Sequence, residues 1–174
     1  MELIEMMQNR RSVRKYTGEP LPADCLEKIL QAGLLPASGR GLRPWQLIVV
    51  QAPETLAQLA GTRAMGAGML MGAAAAIVVL GDETASDTWT EDCSIVMANM
   101  HLMADALGVG SCWIQGRLRT APDGSSTEAA VRQLLGFPEQ YRLEAILSLG
   151  MPESHPPRRE LSDLPTEKIH YEKF

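Results

Sequence analysis

One stretch limits the architecture more than any other: between Asp92 and Leu107 the apolar residues Cys93, Ile95, Val96, Met97, Ala98, Met100, Leu102, Met103, Ala104, Ala106 and Leu107 leave almost no polar face. A surface helix shows an apolar stripe backed by polar residues, so a helix apolar nearly all round belongs in a core or between subunits. Any fold for this chain must wrap other elements around these residues. The chain of 174 residues is long enough for that, because a domain of this size buries roughly 70% of its unfolded surface.

Other elements follow from periodicity and punctuation. Residues 2 to 9 predict a short first helix. Leu26, Ile29, Leu30 and Leu34 recur at helical spacing between Pro22, read as a first-turn proline, and a stop at Pro36. Ala37 to Pro44 is a glycine- and arginine-rich loop, Trp45 to Gln51 a strand, and a short helix follows Pro53. Ala74 to Leu80 is a continuous apolar run bounded by glycine, the pattern of a strand buried on both faces. A short strand is expected at Cys112 to Ile114, a helix from Thr127 to Leu135 and a strand from Arg142 to Leu149. Helices and strands are mixed within a single domain spanning 1–174. Residues 151–174 hold four prolines and no clear periodicity, which predicts an arm lying on another surface. An all-apolar helix and an unanchored arm together suit an intertwined homodimer, where symmetric pairing covers both.

Composition removes several classes of function. The net charge of -5 argues against general nucleic-acid binding. The uncharged run from Ala64 to Gly81 approaches membrane-spanning length, yet Gly66, Gly68 and Gly72 break it before the apolar stretch, so no membrane span is expected. Three widely spaced cysteines, Cys25, Cys93 and Cys112, without a signal-like start, predict reduced thiols in a cytoplasmic protein. The glycine clusters at Gly39–Gly41, Gly66–Gly68 and Gly108–Gly110 do not complete a dinucleotide fingerprint. His101, His155 and His170 form no metal-ligand spacing, and His101 reads as a buried or interface residue. No nucleophile elbow occurs, and neither Cys93 nor Cys112 has an activating cation beside it in sequence. An enzyme built on this chain would take its reactivity from an organic cofactor.

Against that background the run Arg10-Arg11-Ser12-Val13-Arg14-Lys15-Tyr16 stands out, with four cations in seven residues of an acidic chain. Guanidinium forks match phosphate oxygens, and Ser12 adds a hydroxyl donor. Together with the small-residue loop at Pro36–Gly41 and the apolar turn at Cys112–Gly116, it suits a flat, phosphorylated aromatic cofactor such as flavin mononucleotide (FMN). A solvated basic turn is the competing reading.

Three ordered motifs carry a resemblance. Arg10 to Tyr16 resembles the RRSxRxF opening of the nitroreductase family of flavin enzymes, Pro36-Ala37-Ser38 through Pro44-Trp45 its PSxxNxQPW, and Gly108 to Ile114 its GLGSCWIG. The stretch from Gly150-Met151-Pro152 to Arg158 and Arg159 also resembles the family, so the likeness spans nearly the whole chain. The resemblance implies an α+β nitroreductase-like fold: a central, mostly antiparallel mixed sheet flanked by helices, in a homodimer whose carboxy-terminal arm crosses to the partner. It implies that Arg10 and Ser12, with Arg11, hold the FMN phosphate, completed by Arg158 or Arg159, and that Arg14 approaches the pyrimidine edge. Pro36, Ala37 and Ser38 would wall the ring from the other subunit, while backbone amides around Ile114, Gln115 and Gly116 face its N5 and O4. Two positions depart from the pattern: Gly41 replaces the family's Asn, and Arg43 its Gln, putting Arg43 near the ring or an acidic substrate. Gln115 stands where many relatives have glycine. The expected activity is a ping-pong transfer of hydride from NADH or NADPH through flavin N5 to an electron-poor acceptor, a nitroaromatic or quinone. The alternatives are a dehydrogenase or dehalogenase on the same scaffold, or a non-catalytic flavin-binding module.

Overall fold

A computed structural model describes residues 2–174. Its elements run α1 (Leu3–Asn9), α2 (Cys25–Leu34), β1 (Trp45–Val50), α3 (Pro53–Gly61), β2 (Ala75–Asp82), α4 (Trp89–Ala106), β3 (Gly110–Gln115), α5 (Thr127–Leu135) and β4 (Tyr141–Gly150). The four strands pair antiparallel in the order β1-β2-β4-β3. One parallel bridge, Ser12 with Ser111, extends this sheet beyond β3. The mostly antiparallel sheet flanked by helices that the family resemblance implies is present, its one parallel element being the Ser12–Ser111 bridge.

The unbroken apolar runs become the two inner strands because both faces of the sheet are covered. Ile77 and Val79 of β2 pack with Cys93, Val96, Met97 and Met100 of α4 and with Ile29 of α2. Ala76, Val78 and Leu80 face the opposite core, with Leu56 and Leu59 of α3, Val131 of α5 and Phe137. Each fully buried side chain of this size contributes about 1.5–3 kcal/mol, so the two cores supply the main driving force for folding. Helix α4 begins at Trp89, one turn before the apolar run, because Glu91 and Asp92 favour a first turn where helix amides are unpaired. Pro22 stands ahead of α2 rather than in its first turn, its carbonyl accepting from Cys25 N at 3.0 Å. Helix α5 is closed at both ends, by Ser126 Oγ accepting from Ala129 N at 3.0 Å and by Gly136 at φ 71°.

Between Val79 and Leu80 the β2–β4 register shifts, pairing Val79 with Ala145 and Leu80 with Leu143. Glu144 is left as the extra residue of a bulge, and its carbonyl accepts from both Gly116 N at 3.1 Å and Arg117 N at 2.9 Å. That double bond shapes the turn leaving β3.

The edge of β3 is covered by the start of the chain. Val13 N donates to Ser111 O at 2.9 Å, and Val13 and Tyr16 are buried. The Tyr16 ring lies against Gly150, where a Cβ would come within 2.6 Å of it, so the paired glycines 110 and 150 let the segment approach. Tyr16 OH donates to Val13 O at 3.0 Å and meets Ser148 Oγ at 2.7 Å. The three cysteines are buried free thiols. Among the described residues no helix is long and apolar enough to cross a membrane.

Tyr16→Phe keeps the ring but leaves two buried groups without their shared partner, so it should destabilise the fold by about 1–3 kcal/mol. Urea unfolding monitored by circular dichroism checks this; an unchanged midpoint would mean the hydroxyl contributes nothing.

Candidate functional site

Once Val13 and Tyr16 point inward, the residues between and before them line a groove along the β3 edge. One end is a cavity of about 370 Å³ walled by Met7, Arg10, Ser12, His101, Leu102 and Trp113. The other end, about 420 Å³, is walled by Arg14, Arg63, Cys112, Trp113, Gln115 and Arg119. Trp113 belongs to both. Between them the two cavities are lined by four arginines.

The geometry at Arg10 is fixed by a buried histidine. Arg10 Nη1 lies 3.0 Å from His101 Nε2, and His101 Nδ1 contacts Ser111 Oγ. Because a guanidinium only donates, Nε2 must carry the lone pair and Nδ1 the proton, which goes to Ser111. Burial, and then the Arg10 charge, lowers the His101 pKa to about 4, so the imidazole stays neutral and acts as an acceptor. Arg10 is itself half-buried; burial and the neighbouring Arg159 cation both pull its pKa down, with Asp105 opposing them. Two cations held near one another this way favour an anion between them.

Arg159 reaches this place because the end of the chain is tied to its start. Arg159 N donates to Gln8 O and Gln8 Nε2 to Arg159 O, each at 2.9 Å. Arg11 Nη1 donates to Pro157 O, and Glu153 N to Lys15 O at 3.2 Å. His155 Nε2 meets Asp105 Oδ1 at 2.8 Å, while Asn9 Nδ2 donates to Asp105 Oδ2 at 2.7 Å. The Gln8 bonds thus carry Arg159 into the neighbourhood of Arg10, while Arg10 and Ser12 line one cavity that exposed Arg159 does not wall. Arg11 is engaged with the arm's backbone, and Arg158 pairs at 3.2 Å with exposed Glu160.

At β3 the backbone is divided between two directions. Ser111 O accepts from Val13, so alternation turns Trp113 and Gln115 to the uncovered edge and Ile114 to β4. Gly116 N is taken by Glu144 O, which leaves Gln115 as the amide that faces the groove. Its side chain is held by Trp113 Nε1 donating to Oε1 at 2.8 Å and by Nε2 reaching Glu144 O at 3.4 Å. The Cys112 thiol on the groove wall is pushed up by burial, although Arg14 pulls the other way.

Pro36, Ala37, Ser38 and Arg43 do not line the groove of their own chain. They sit at the amino end of α4, where buried Asp92 accepts from Gly39 N at 2.9 Å and Ser38 Oγ accepts from Arg43 N at 2.9 Å. Arg40 and Arg43 hold left-handed backbone at φ 53° and 50°. Each costs roughly 1–2 kcal/mol, so this loop shape is imposed by its anchors. Sequence reasoning missed Arg63, Arg119 and the wall formed by Trp113. No spacing connects positions 14, 63 and 119; Ala64 N donating to Thr120 O at 3.0 Å brings the two later arginines together.

The sequence profile of the Nitroreductase family matches residues 7–65 and 61–151. The chain belongs to the nitroreductase family. It is 35% identical over 178 residues to an Archaeoglobus fulgidus protein with the provisional name NADH dehydrogenase/NAD(P)H nitroreductase, covering 99% of both chains. It is 30% identical to the NADPH-flavin oxidoreductase of Vibrio harveyi, covering 88% of this chain and 67% of that protein. Among solved structures, the FMN-dependent nitroreductase of Clostridium difficile superposes with a TM-score of 0.96 at 38% identity, over 99% of this chain and 100% of that one. In this nitroreductase-family chain, Gly41 and Arg43 occupy the second motif with left-handed backbone. The departure lies in the loop outside the groove.

The depressed His101 pKa gives a sign for pH dependence. Below pH 6.5 the unfolded chain takes up a proton that the folded chain refuses until about pH 4, so stability falls as pH drops through that window. His101→Gln, which can still accept from Arg10 and donate to Ser111, should flatten that part of the profile in denaturation series from pH 4 to 7. An unchanged slope would locate the proton uptake elsewhere.

Proposed function

We propose that this chain is an FMN-dependent oxidoreductase that oxidises NADH or NADPH and reduces an electron-poor acceptor, acting as a homodimer in the cytoplasm. The observation that carries the reading is that Arg10 and Ser12 line one end of a groove whose other end holds Arg14, with Arg159 near enough for its charge to lower the Arg10 pKa. The donor set fits the group: two guanidiniums and a hydroxyl for a phosphate dianion, an apolar indole wall for a flat ring, and a cation at the far end. The relatives named for flavin and nicotinamide chemistry support it.

Bound FMN would supply the two-electron chemistry, exchanging hydride first with the nicotinamide and then with the acceptor. The chain's residues position and bias that chemistry. Arg10, Ser12 and Arg159 hold the phosphate, and neutral His101 keeps the Arg10 fork aimed. Arg14 places positive charge where negative charge develops at the pyrimidine edge, an electrostatic contribution aligned before reaction. The Gln115 amide offers a donor from the rigid edge of the sheet. Burial pushes the Cys112 thiol up, which works against its use as a nucleophile. Orientation of both reactants against one ring is the remaining contribution.

The dimer reading rests on what one chain leaves uncovered. Leu3, Ile4 and Met7 of α1, Leu34 at the end of α2 and Leu35 after it, and Ile95 of α4 are exposed around an apolar groove of about 340 Å³. The arm adds exposed Leu161, Leu164, Ile169 and Tyr171. A second copy covers these surfaces and brings its Pro36–Ser38 loop to the groove it does not reach in its own chain. Three buried thiols accord with a reducing compartment.

The purified protein should be yellow or become so with FMN, and anaerobic NADH or NADPH should bleach it. Arg10→Ala should weaken FMN binding by about 1.5–3 kcal/mol, read by quenching of flavin fluorescence. A protein that FMN cannot reconstitute refutes the proposal. Sedimentation should give a dimer for the wild type and a monomer for Leu35→Glu; a wild-type monomer at micromolar concentration overturns the subunit arrangement.

A further inference from the structure

The flavin reading uses one cation at the ring's pyrimidine end, and the groove holds three there. Arg14, Arg63 and Arg119 all line the larger cavity, and none has a carboxylate within ion-pair distance among the described residues. Elsewhere Arg40, Arg132, Arg142 and Arg158 are each paired. A separate cleft of about 140 Å³ opens directly between Arg63 and Arg119, with Ala64, Met65 and Thr120 completing it. Its size suits one carboxylate or phosphate group.

The arrangement is built rather than incidental. The Ala64 N to Thr120 O bond clamps the two loops that carry the arginines, and the Arg63 guanidinium lies over Gly66, where a Cβ would come within 3.6 Å of it. Burial and the Arg119 charge both work against the Arg63 cation, so the pair repels itself with no carboxylate among the described residues to offset it. Arg119 is exposed at the rim. A group binding there belongs to a molecule that arrives and leaves, whereas a resident cofactor would be held deeper.

We propose that Arg63 and Arg119 form an oxyanion-docking cleft for the second reactant, selecting a carboxylate on the acceptor or the extra phosphate of NADPH. This rests on the flavin reading, because the cleft gains its purpose from adjoining the ring. The residues are positioning and specificity residues; they touch no reacting atom. A charge-assisted contact at a partly exposed site is expected to be worth about tenfold in affinity and to weaken with salt.

The test measures equilibrium binding to the FMN-loaded protein by calorimetry at 20 and 200 mM salt, using two matched pairs: 4-nitrobenzoate with 4-nitrobenzamide, and NADP+ with NAD+. The proposal expects the charged member of at least one pair to bind about tenfold more tightly at low salt. Which pair shows it names the source of the anion. Arg63→Ala and Arg119→Ala should each reduce the preference several-fold and the double variant abolish it, while Arg119→Lys retains part, with flavin still bound in every case. Indistinguishable members in both pairs overturn the proposal, as does a preference that survives in the double variant. Loss of FMN from the two variants with the preference intact also overturns it, assigning the arginines to the cofactor. A wild-type chain that takes up no FMN refutes the flavin reading instead, and the same titrations on it still decide whether these arginines select the anion.

Discussion

A guanidinium can donate hydrogen bonds and never accept them, and the site depends on how the chain uses that asymmetry at Arg10. The contact to His101 Nε2 dictates the imidazole tautomer, and the tautomer dictates the bond to Ser111 on β3. Ser111 in turn receives Val13, which seats the basic segment on the sheet edge. A helix in the core, a strand and the first residues of the chain are thus joined by one proton's location. Were His101 charged, two cations would face each other in a half-buried site; its low pKa prevents this across the physiological range.

The all-apolar helix makes this possible. Met97, Met100 and Ala104 lock α4 onto the sheet, and the same helix carries His101 toward Arg10 and Asp105 toward Asn9 and His155. Because α4 is held rigidly on its buried side, the polar groups on its carboxy-terminal half are placed with little freedom. Its remaining face, with Ile95 and Leu102, is uncovered in one chain. Core, site and the surface proposed to meet a second copy therefore share one element.

The strands and long helices were legible in the sequence because burial on both faces of the sheet leaves continuous apolar runs such as Ala75–Leu80. The proposed phosphate end was legible in part: Arg10 and Ser12 are local, and the family resemblance pointed to Arg158 or Arg159 as their partner. Which of those arginines meet was not. Arg159 and not Arg158 comes to Arg10, a choice made by the paired bonds with Gln8. Nor could spacing reveal Arg63 and Arg119, which converge with Arg14 only through loop contacts between distant segments. The Gly116 amide, read as available, is taken by the bulge at Glu144, a feature created by register and invisible to residue type. Helix α4 starts earlier than its apolar run because its first turn is set by acidic residues and anchors rather than by hydrophobic pattern.

The central claim is that both ends of the chain build one phosphate site. A crystal structure of the FMN-loaded protein tests it most directly. The account predicts the phosphorus within hydrogen-bond reach of Arg10, Ser12 and Arg159, with the ring lying past Trp113 toward Arg14. Phosphorus density at the Arg14 end, or in any other cavity, would contradict it.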